Sequence, residues 1–373
     1  MRINVDGKLF QQQLTAVSKV INGKNTLTIL DNFLLSVEGD RLSITGSDQE
    51  NVLTAFMPVA DSDGDGSVAV PAKRLLEITK EISNQPLTIE VDDETKAIDL
   101  SFLSGQFRFM GRDADEYPRM RTQSEERTVM VLPTSVVLKG LEYTSFAVSP
   151  DVVRPIMTGI LWDVKPDNIT FVSSDTHKLV RYINSERAPE VEKMFVMPAK
   201  VANIIRGLIG NGDMEIRITF DEKGGTFEFG DYNLSCLFIQ GSYPQYNRVI
   251  PASNPFTLTV DRDSLMAAIR RVNLFAAKNS RLIVLDLSSE GLKLTSQDYD
   301  YGMSAEEKVA CTYEGNAMSI GFNGLYMAEI LANLKDDEIM LSLSDPARPG
   351  VYSPIEQKPN ENVMIVQMPM QVI

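Results

Sequence analysis

Three stretches of the sequence share one pattern: LSITGSDQENVLTAFM at Leu42–Met57, ITFVSSDTHKLVRYI at Ile169–Ile183 and LKLTSQDYDYGMSAEEKV at Leu292–Val309. Each is a short alternating run, a small or polar residue before an aspartate, and a second alternating run. Alternation with a period of two is typical of half-buried strands, so each stretch predicts a pair of β-strands around the aspartate. The aspartates Asp48, Asp175 and Asp298 are 127 and 123 residues apart.

Helical patterns recur around these strands with nearly the same period. Apolar residues spaced i, i+3, i+4 and i+7 predict an amphipathic helix after each pair. The three segments are VPAKRLLEITKEI from Val70, MPAKVANIIRGLI from Met197 and FNGLYMAEILANL from Phe322. Further helical patterns precede each pair, and their predicted N-caps are Asp6, Thr134 and Asp261. Each repeat closes on a dipeptide: Tyr117-Pro118, Tyr243-Pro244 or Met368-Pro369.

The repeat predicts an α+β fold of three tandem similar domains, with two helices packed on antiparallel sheets in each. One repeat runs β-α-β-β-β and then β-α-β-β-β, and turn signals separate its short strands. The period is far longer than that of solenoid repeats, so each copy is a domain. The predicted domains are residues 1–122, 123–252 and 253–373, with linkers near Arg121–Gln123 and Pro251–Asn254.

Composition excludes a wholly disordered chain and a collagen-like chain. The 373 residues are 43% hydrophobic and 23% charged, as in ordinary globular domains. The sequence contains neither an apolar run of transmembrane length nor a secretory signal, and its two cysteines favour a reducing compartment. We therefore expect a cytoplasmic protein that does not enter a membrane. The net charge of -15 argues, taken alone, against a nucleic-acid partner.

Motifs for catalysis and cofactor binding are missing from the sequence. The acidic loop at 61–66 begins like a calcium loop, but Ala72 stands where an EF-hand needs glutamate. No glycine-rich nucleotide motif is present, and the single histidine, His177, lies beside Asp175 without a third catalytic partner. Cys236 lies in a strand pattern and is interpreted as a core residue. We expect no catalytic residue, no metal site and no cofactor.

Positive charge is concentrated in the predicted helices. The six windows 6–24, 71–83, 133–148, 198–210, 261–279 and 323–335 hold 14 Lys and Arg against 7 Asp and Glu, and the remainder holds 22 against 44. Helix propensity alone does not explain this, because glutamate is as good a helix former as lysine. If the helices line one surface, that surface attracts phosphates without reading sequence.

The repeat and its motifs resemble the bacterial sliding clamps, the β subunits of DNA polymerase III. The resemblance covers the whole chain and is most specific at TLTILDNFLLSV, SITGSD, VPAKRLLEI, SSDTHKLV, YPQYNRVIP and VQMPMQVI. It implies half of a six-domain ring, in which two chains join head to tail around duplex DNA. It also implies a processivity factor without an active site, loaded by an ATP-driven loader, whose basic inner surface includes Lys24, Lys73, Arg74, Lys200 and Lys278.

The resemblance also implies two protein-binding surfaces. A groove for short apolar peptides of polymerases, the loader and other proteins corresponds to Arg154, Met157, Ser174, Thr176, His177, Leu179, Pro244, Arg248, Val249, Tyr326, Met368, Pro369 and Met370. Thr176 departs from the family's usual glycine, and Pro155 and Met157 replace a more aromatic stretch, which puts the preferred peptide in doubt. A dimer interface corresponds to Phe107, Phe109, Leu274 and Phe275, although alternation alone is equally compatible with domain core.

Three functions compete at this point. The first is a DNA-encircling processivity clamp, which the basic helices favour. The second is a repeat-built interaction scaffold that never touches DNA. The third is an enzyme with a site of carboxylates that no motif reveals, which the missing catalytic constellation disfavours.

Overall fold

The computed structural model describes residues 1–23, 25–118, 127–186, 190–210, 212 and 214–372. The predicted linker near Arg121–Gln123 and the predicted DNA contact Lys24 lie outside these residues. Within the described ranges no helix is both long and apolar enough to span a membrane.

The described residues form six α-helices and 26 strands. The helices are α1 Gly7–Ser18, α2 Ala72–Ile82, α3 Thr134–Thr144, α4 Ala199–Arg206, α5 Arg262–Val272 and α6 Gly324–Asn333. The strands of the first repeat are β1 Arg2–Asp6, β2 Asn32–Glu38, β3 Arg41–Ser47, β4 Asn51–Pro58, β5 Asp61–Asp63, β6 Gly66–Pro71, β7 Pro86–Val91, β8 Ala97–Phe102 and β9 Gly105–Met110. Those of the second are β10 Thr128–Pro133, β11 Gly159–Lys165, β12 Asn168–Ser174, β13 Lys178–Asn184, β14 Lys193–Pro198, β15 Glu215–Phe220, β16 Gly224–Phe229 and β17 Tyr232–Leu237. Those of the third are β18 Phe256–Asp261, β19 Leu282–Ser288, β20 Gly291–Asp298, β21 Met303–Val309, β22 Cys311–Glu314, β23 Met318–Asn323, β24 Glu338–Leu343, β25 Gly350–Pro354 and β26 Glu361–Gln367.

The element order confirms the predicted repeat, with two additions. Each repeat runs β-α-β-β-β twice, and the short strands β5 and β22 are inserted at the same point of the first and third repeats. Part of the acidic segment at 61–66 is therefore strand β5, which pairs with β1, and not a loop as predicted. Every helix ends before its predicted window does, and α5 ends at Val272, so Lys278 lies beyond it.

Two of the three predicted N-caps are confirmed. The carboxylates of Asp6 and Asp261 each accept a hydrogen bond, at 2.8 Å, from the backbone amide three residues later. The prediction for Thr134 is wrong. Thr134 is the first residue of α3, and its hydroxyl donates to the carbonyl of Met214 at 3.0 Å.

The chain forms two compact units. The first comprises Met1–Ser135 and Asn203–Phe238. It contains one sheet in the order β5-β1-β7-β8-β9 and another in the order β10-β15-β16-β17-β4-β3-β2-β6. In this unit α1 packs against α2 and against β3 and β4, whose alternating residues are buried.

The second unit comprises Val136–Ala202 and Ile239–Ile373. Its nine-stranded sheet has the order β14-β11-β12-β13-β26-β25-β24-β18-β22, and its four-stranded sheet has the order β21-β20-β19-β23. Here α5 packs against α6 and against β20 and β21. The strands of the second repeat are thus divided between the two units.

The two halves of each repeat exchange their first strands. In the first repeat, β6 of the second half extends the sheet of β2, β3 and β4, while β1 of the first half extends that of β7, β8 and β9. The same exchange occurs in the other two repeats. The chain of a repeat therefore cannot be cut between its halves without breaking two sheets.

A backbone contact at the end of each repeat fixes the structural correspondence between them. The amide of a residue just after the last strand donates to a carbonyl in the strand before the second helix. The three contacts are Arg112 to Ala69 at 2.8 Å, Ile239 to Val196 at 2.9 Å, and Met370 to Gly321 at 2.8 Å. Equal geometry at equivalent positions means that the residues around these contacts can be matched across the three repeats.

Strand pairing also joins successive repeats. The last strand of the second repeat, β17, pairs antiparallel with β4, the third strand after α1. The last strand of the third repeat, β26, pairs in the same way with β13, the third strand after α3. Two strands of these same types, β9 and β21, have no neighbour on their outer side among the described residues.

Candidate functional site

The predicted peptide groove has an apolar floor in the second unit. Leu179 lies in a buried cluster with Leu161, Val172, Val196 and Tyr246, which also includes Val351 and Val366. Ile156, Tyr243 and Ile250 pack against this cluster and are only partly covered. Met157, in the 3-10 turn Pro155–Met157, is buried. An apolar cluster with partly exposed edges can receive apolar side chains from a partner.

One side of the floor is formed by the turn between β12 and β13. The Asp175 carboxylate accepts hydrogen bonds from the amides of His177 and Lys178, both at 2.9 Å. The buried Ser174 hydroxyl donates to the Lys178 carbonyl at 2.8 Å. Thr176 adopts a φ of 80°, a conformation that glycine reaches most easily. The turn is therefore held from both ends, with Thr176 and His177 exposed at its tip.

An aromatic pair and a buried lysine connect this turn to α6. The His177 ring stacks on Tyr326 with 5.2 Å between centroids and 22° between planes. The Lys178 ammonium lies 4.6 Å from the Tyr326 centroid, 2.6 Å from an Asp175 oxygen and 2.9 Å from a Glu329 oxygen. Burial opposes the charge on Lys178, but its hydrogen bonds to Asp175 and Glu329 outweigh this and raise its pKa.

The C-terminal tail lies directly beside this turn. The Met368 amide donates to the His177 carbonyl at 2.9 Å, and the Met370 amide donates to the Gly321 carbonyl at 2.8 Å. Met368 is 40% exposed, whereas Pro369 and Met370 are half-buried. The tail thus lies between the turn and β23 with its methionines accessible. Flexible thioethers suit a surface that accepts varied apolar partners.

Exposed residues border the predicted groove. Arg154 is exposed and pairs with Asp151 at 3.2 Å. Pro244, Arg248 and Val249 are exposed around a short 3-10 turn. The buried Tyr246 hydroxyl anchors that turn by donating to Asp163 at 2.8 Å. The thirteen residues predicted for the groove therefore all lie in the second unit, around its apolar floor.

The residues predicted to contact DNA fall in both units. In the first, Lys73 and Arg74 are exposed in the first turn of α2, with Arg74 3.7 Å from Glu77. In the second, Lys200 is half-buried in the first turn of α4, and Lys278 is exposed after α5. The six helices as observed hold ten Lys and Arg against five Asp and Glu, so the predicted charge segregation is preserved.

The residues predicted for the dimer interface are not core. Phe107 and Phe109 lie on the edge strand β9, where Phe107 is 40% exposed and Phe109 half-buried. Leu274 and Phe275, in a 3-10 turn after α5, are 74% and 39% exposed. By contrast, Cys236 is buried as predicted, and burial raises its pKa to about 12.

Comparison with known proteins identifies the family. Its models match all three repeats, as the N-terminal domain of the DNA polymerase III beta subunit at residues 1–121, the central domain at 131–245 and the C-terminal domain at 247–371. The chain belongs to the DNA polymerase III beta subunit family. It is therefore a DNA polymerase processivity factor, and it is not itself an enzyme.

Individual members of the family match over nearly the whole chain. The beta sliding clamp of Synechococcus elongatus is 31% identical over 352 residues, which cover 92% of each chain. That of Treponema pallidum is 28% identical over 378 residues and covers both chains fully. A sliding clamp of Pseudomonas aeruginosa, crystallised with griselimycin, superposes with a TM-score of 0.94 at 25% identity over both complete chains.

Two parts of the site were missed by sequence reasoning. The buried Lys178 pairs with the half-exposed Glu329 beside the aromatic pair, although neither residue was predicted to belong to the groove. A signal for Lys178 was present, because it alternates with Val180 and Tyr182, whose face is fully buried. A lysine on such a face requires a carboxylate partner.

Replacing the buried lysine is predicted to destabilise the second unit. Lys178→Met leaves the Asp175 carboxylate, whose side chain is 10% exposed, without its cation, so the free energy of unfolding should fall by about 2–4 kcal/mol. Urea unfolding followed by the fluorescence of Trp162, the single tryptophan, measures this loss. The control is Lys293→Met, because Lys293 is 38% exposed beside two carboxylates and should cost less than about 1 kcal/mol. Equal losses in both variants would contradict the assignment.

Proposed function

We propose that two copies of the chain close head to tail into a ring around duplex DNA, slide along it and tether the replicative polymerase. One observation carries this proposal: β9 and β21 are open edges of the two strand types that join successive repeats elsewhere in the chain. An exposed edge presents unpaired backbone groups, which a matching strand satisfies. In a head-to-tail dimer, β21 of each copy pairs with β9 of the other. The two equivalent interfaces then cover both edges of both copies.

The register of this pairing follows from the repeat. At the two existing junctions, Lys178 is opposite Gln367 and its equivalent Asn51 is opposite Cys236. Carried over to the third repeat, the correspondence places Met303 opposite Phe109 of the second copy. It also places Ala305 opposite Phe107, and Ser304 opposite Arg108. Apolar residues then face apolar residues, which favours this register.

The exposed side chains support the same interface. Leu274 and Phe275 follow α5, and their 3-10 turn contacts β20 and β21. On the opposite face of the paired strands, Arg108 lies diagonally across from Glu306 of the second copy. Dimerisation would then bury apolar side chains on one face of the paired strands and bring opposite charges together on the other.

The charge distribution supports the DNA partner. The helices carry a net positive charge although the chain is strongly acidic, so phosphate is attracted to the helices and repelled elsewhere. We propose phosphate contacts from Lys24, Lys73, Lys200 and Lys278. Sequence-independent contacts of this kind permit sliding, whereas contacts to base edges would stall it. An interaction scaffold that never holds DNA would have no need of basic helices.

The groove is the proposed docking site for partners. Its apolar floor, its paired rings and its two tail methionines suit a short apolar peptide. The partners are the polymerase, the loader and other proteins with such a peptide, acting in the cytoplasm. The division into domains at residues 122 and 252 remains part of this proposal.

Disulfide trapping tests the ring through its register. Arg108→Cys combined with Ser304→Cys, in a Cys311→Ser background, should give a covalent dimer on mild oxidation, because directly opposite Cβ atoms are about 4.5–5.5 Å apart. The control combines Arg108→Cys with Lys308→Cys, which shifts the second thiol about 13 Å along the strand. Non-reducing electrophoresis reads the result. Equal cross-linking of both pairs, or of neither, would refute the register.

A truncation in the tail tests the groove. Met370→Ala should weaken binding of a short apolar peptide from the polymerase about tenfold, since burying a methionine contributes roughly 1.5–3 kcal/mol. Fluorescence anisotropy measures the affinity, and sedimentation should show the dimer unchanged. Met194→Ala is the control, because Met194 is 59% exposed on β14, outside the groove. Unchanged affinity of Met370→Ala would remove this residue from the groove.

A further inference from the structure

The turn between β20 and β21 exposes two tyrosines. Tyr299 is 82% exposed and Tyr301 is 72% exposed. They lie beside the open edge strand β21, whose first residue, Met303, is 37% exposed. Large rings exposed to water at the end of an edge strand suggest a surface that is covered in an assembly.

The repeat shows which turn this one corresponds to. Asp298 accepts hydrogen bonds from the amides of Asp300 and Tyr301, at 3.1 and 3.4 Å, as Asp175 does from His177 and Lys178. In the second and third repeats a buried serine hydroxyl two residues before the aspartate donates to the carbonyl of the last residue of a helix: Ser173 to Thr144 at 2.6 Å, and Ser296 to Val272 at 2.7 Å. The turn at Tyr299–Gly302 is therefore equivalent to the groove turn, but two residues longer.

The groove turn shows what such a turn meets at a junction between repeats. It contacts the first turn of the next repeat's second helix, where Tyr326 receives both the His177 ring and the Lys178 cation. The first repeat has Arg74 at the position of Tyr326, because Gly321 and Ala69 are equivalent and the following residues match in number. Arg74 is 67% exposed in a single chain.

We infer that Tyr301 packs on the Arg74 guanidinium of the second copy, with Tyr299 beside it, and that this contact anchors the dimer. The inference rests on the proposed ring. At the junction between the second and third repeats, β13 supplies the cation of Lys178 and α6 supplies the aromatic side chain of Tyr326. At the proposed dimer contact, the turn after β20 supplies the aromatic side chain and α2 supplies the cation. An arginine over a tyrosine face is a favourable pairing, and it gains strength when water is excluded.

The contact gives Arg74 a role different from the one its charge suggested. Lys73, its neighbour on α2, remains a proposed DNA contact. Arg74 instead contributes to closing the ring. Tyr301 and Tyr299 would then extend the apolar interface formed by Leu274, Phe275 and Met303, all of which are exposed in the single chain.

A double-mutant cycle on the dissociation constant of the dimer tests the contact. Tyr301→Ala should raise that constant about tenfold, the size of a desolvated cation–π contact, and Arg74→Ala should do the same. The two together should weaken the dimer no more than either alone, because each removes the same contact. Tyr301→Phe keeps the ring and should leave the constant unchanged. Sedimentation over a dilution series measures all four variants.

The controls separate this inference from the ring itself. Val153→Ala removes an equally exposed side chain, 84% exposed, from a turn outside the interface and should have no effect. Circular dichroism checks that the variants fold. If the unmodified chain is monomeric at micromolar concentration, the proposed ring fails. If the unmodified chain is dimeric but Tyr301→Ala and Arg74→Ala weaken the dimer additively, or not at all, the Tyr301–Arg74 contact is refuted and the ring stands.

Discussion

Backbone pairing between the last strand of one repeat and the third strand of another holds each unit together. It merges sheets of two repeats, β17 with β4 and β26 with β13, so the buried core continues across repeat boundaries. The same pairing brings the turn at Asp175–His177 and the C-terminal tail together at the end of the β13–β26 ladder, where partners are proposed to bind. Among the described residues, β9 and β21 are the two strands of these types that have no neighbour on their outer side. In the proposed dimer, β9 of each copy pairs with β21 of the other, so the backbone groups of both edges gain hydrogen-bond partners.

The charge distribution explains why duplex DNA is the partner expected inside the proposed ring. A chain of net charge -15 avoids unspecific binding to nucleic acid over most of its surface. Its helices, which carry twice as many basic as acidic residues, are the exception. A protein with this charge distribution is expected to bind DNA only weakly when it does not encircle it. In the proposed ring, topological linkage would supply the retention that affinity does not, and weak phosphate contacts would leave the ring free to move.

Much of the fold could be predicted because the repeat appears in local sequence patterns, which determine secondary structure over a few residues. Alternating runs, helical spacings and the caps Asp6 and Asp261 depend on neighbours within a few residues. The exchange of first strands and the division of the second repeat between two units could not be predicted, because they depend on pairings between distant segments. In the groove, the resemblance to sliding clamps named the residues around the floor. It did not reveal Lys178 or Glu329, whose roles depend on α6 lying against β13. The exposed state of Phe107 and Leu274 needed coordinates, since an interface and a core share one pattern.

Retention on circular DNA tests the central claim, that the chain encircles duplex DNA and is not merely bound to it. The protein is loaded by its clamp loader onto nicked circular DNA, freed of excess protein by gel filtration in moderate salt, and then challenged with a restriction enzyme that cuts once. We expect the protein to stay with the circle and to be released when the circle is linearised, because the contacts that remain are too weak to hold it. Equal retention on the linear product would mean that affinity, and not topology, holds the protein, and would contradict the ring.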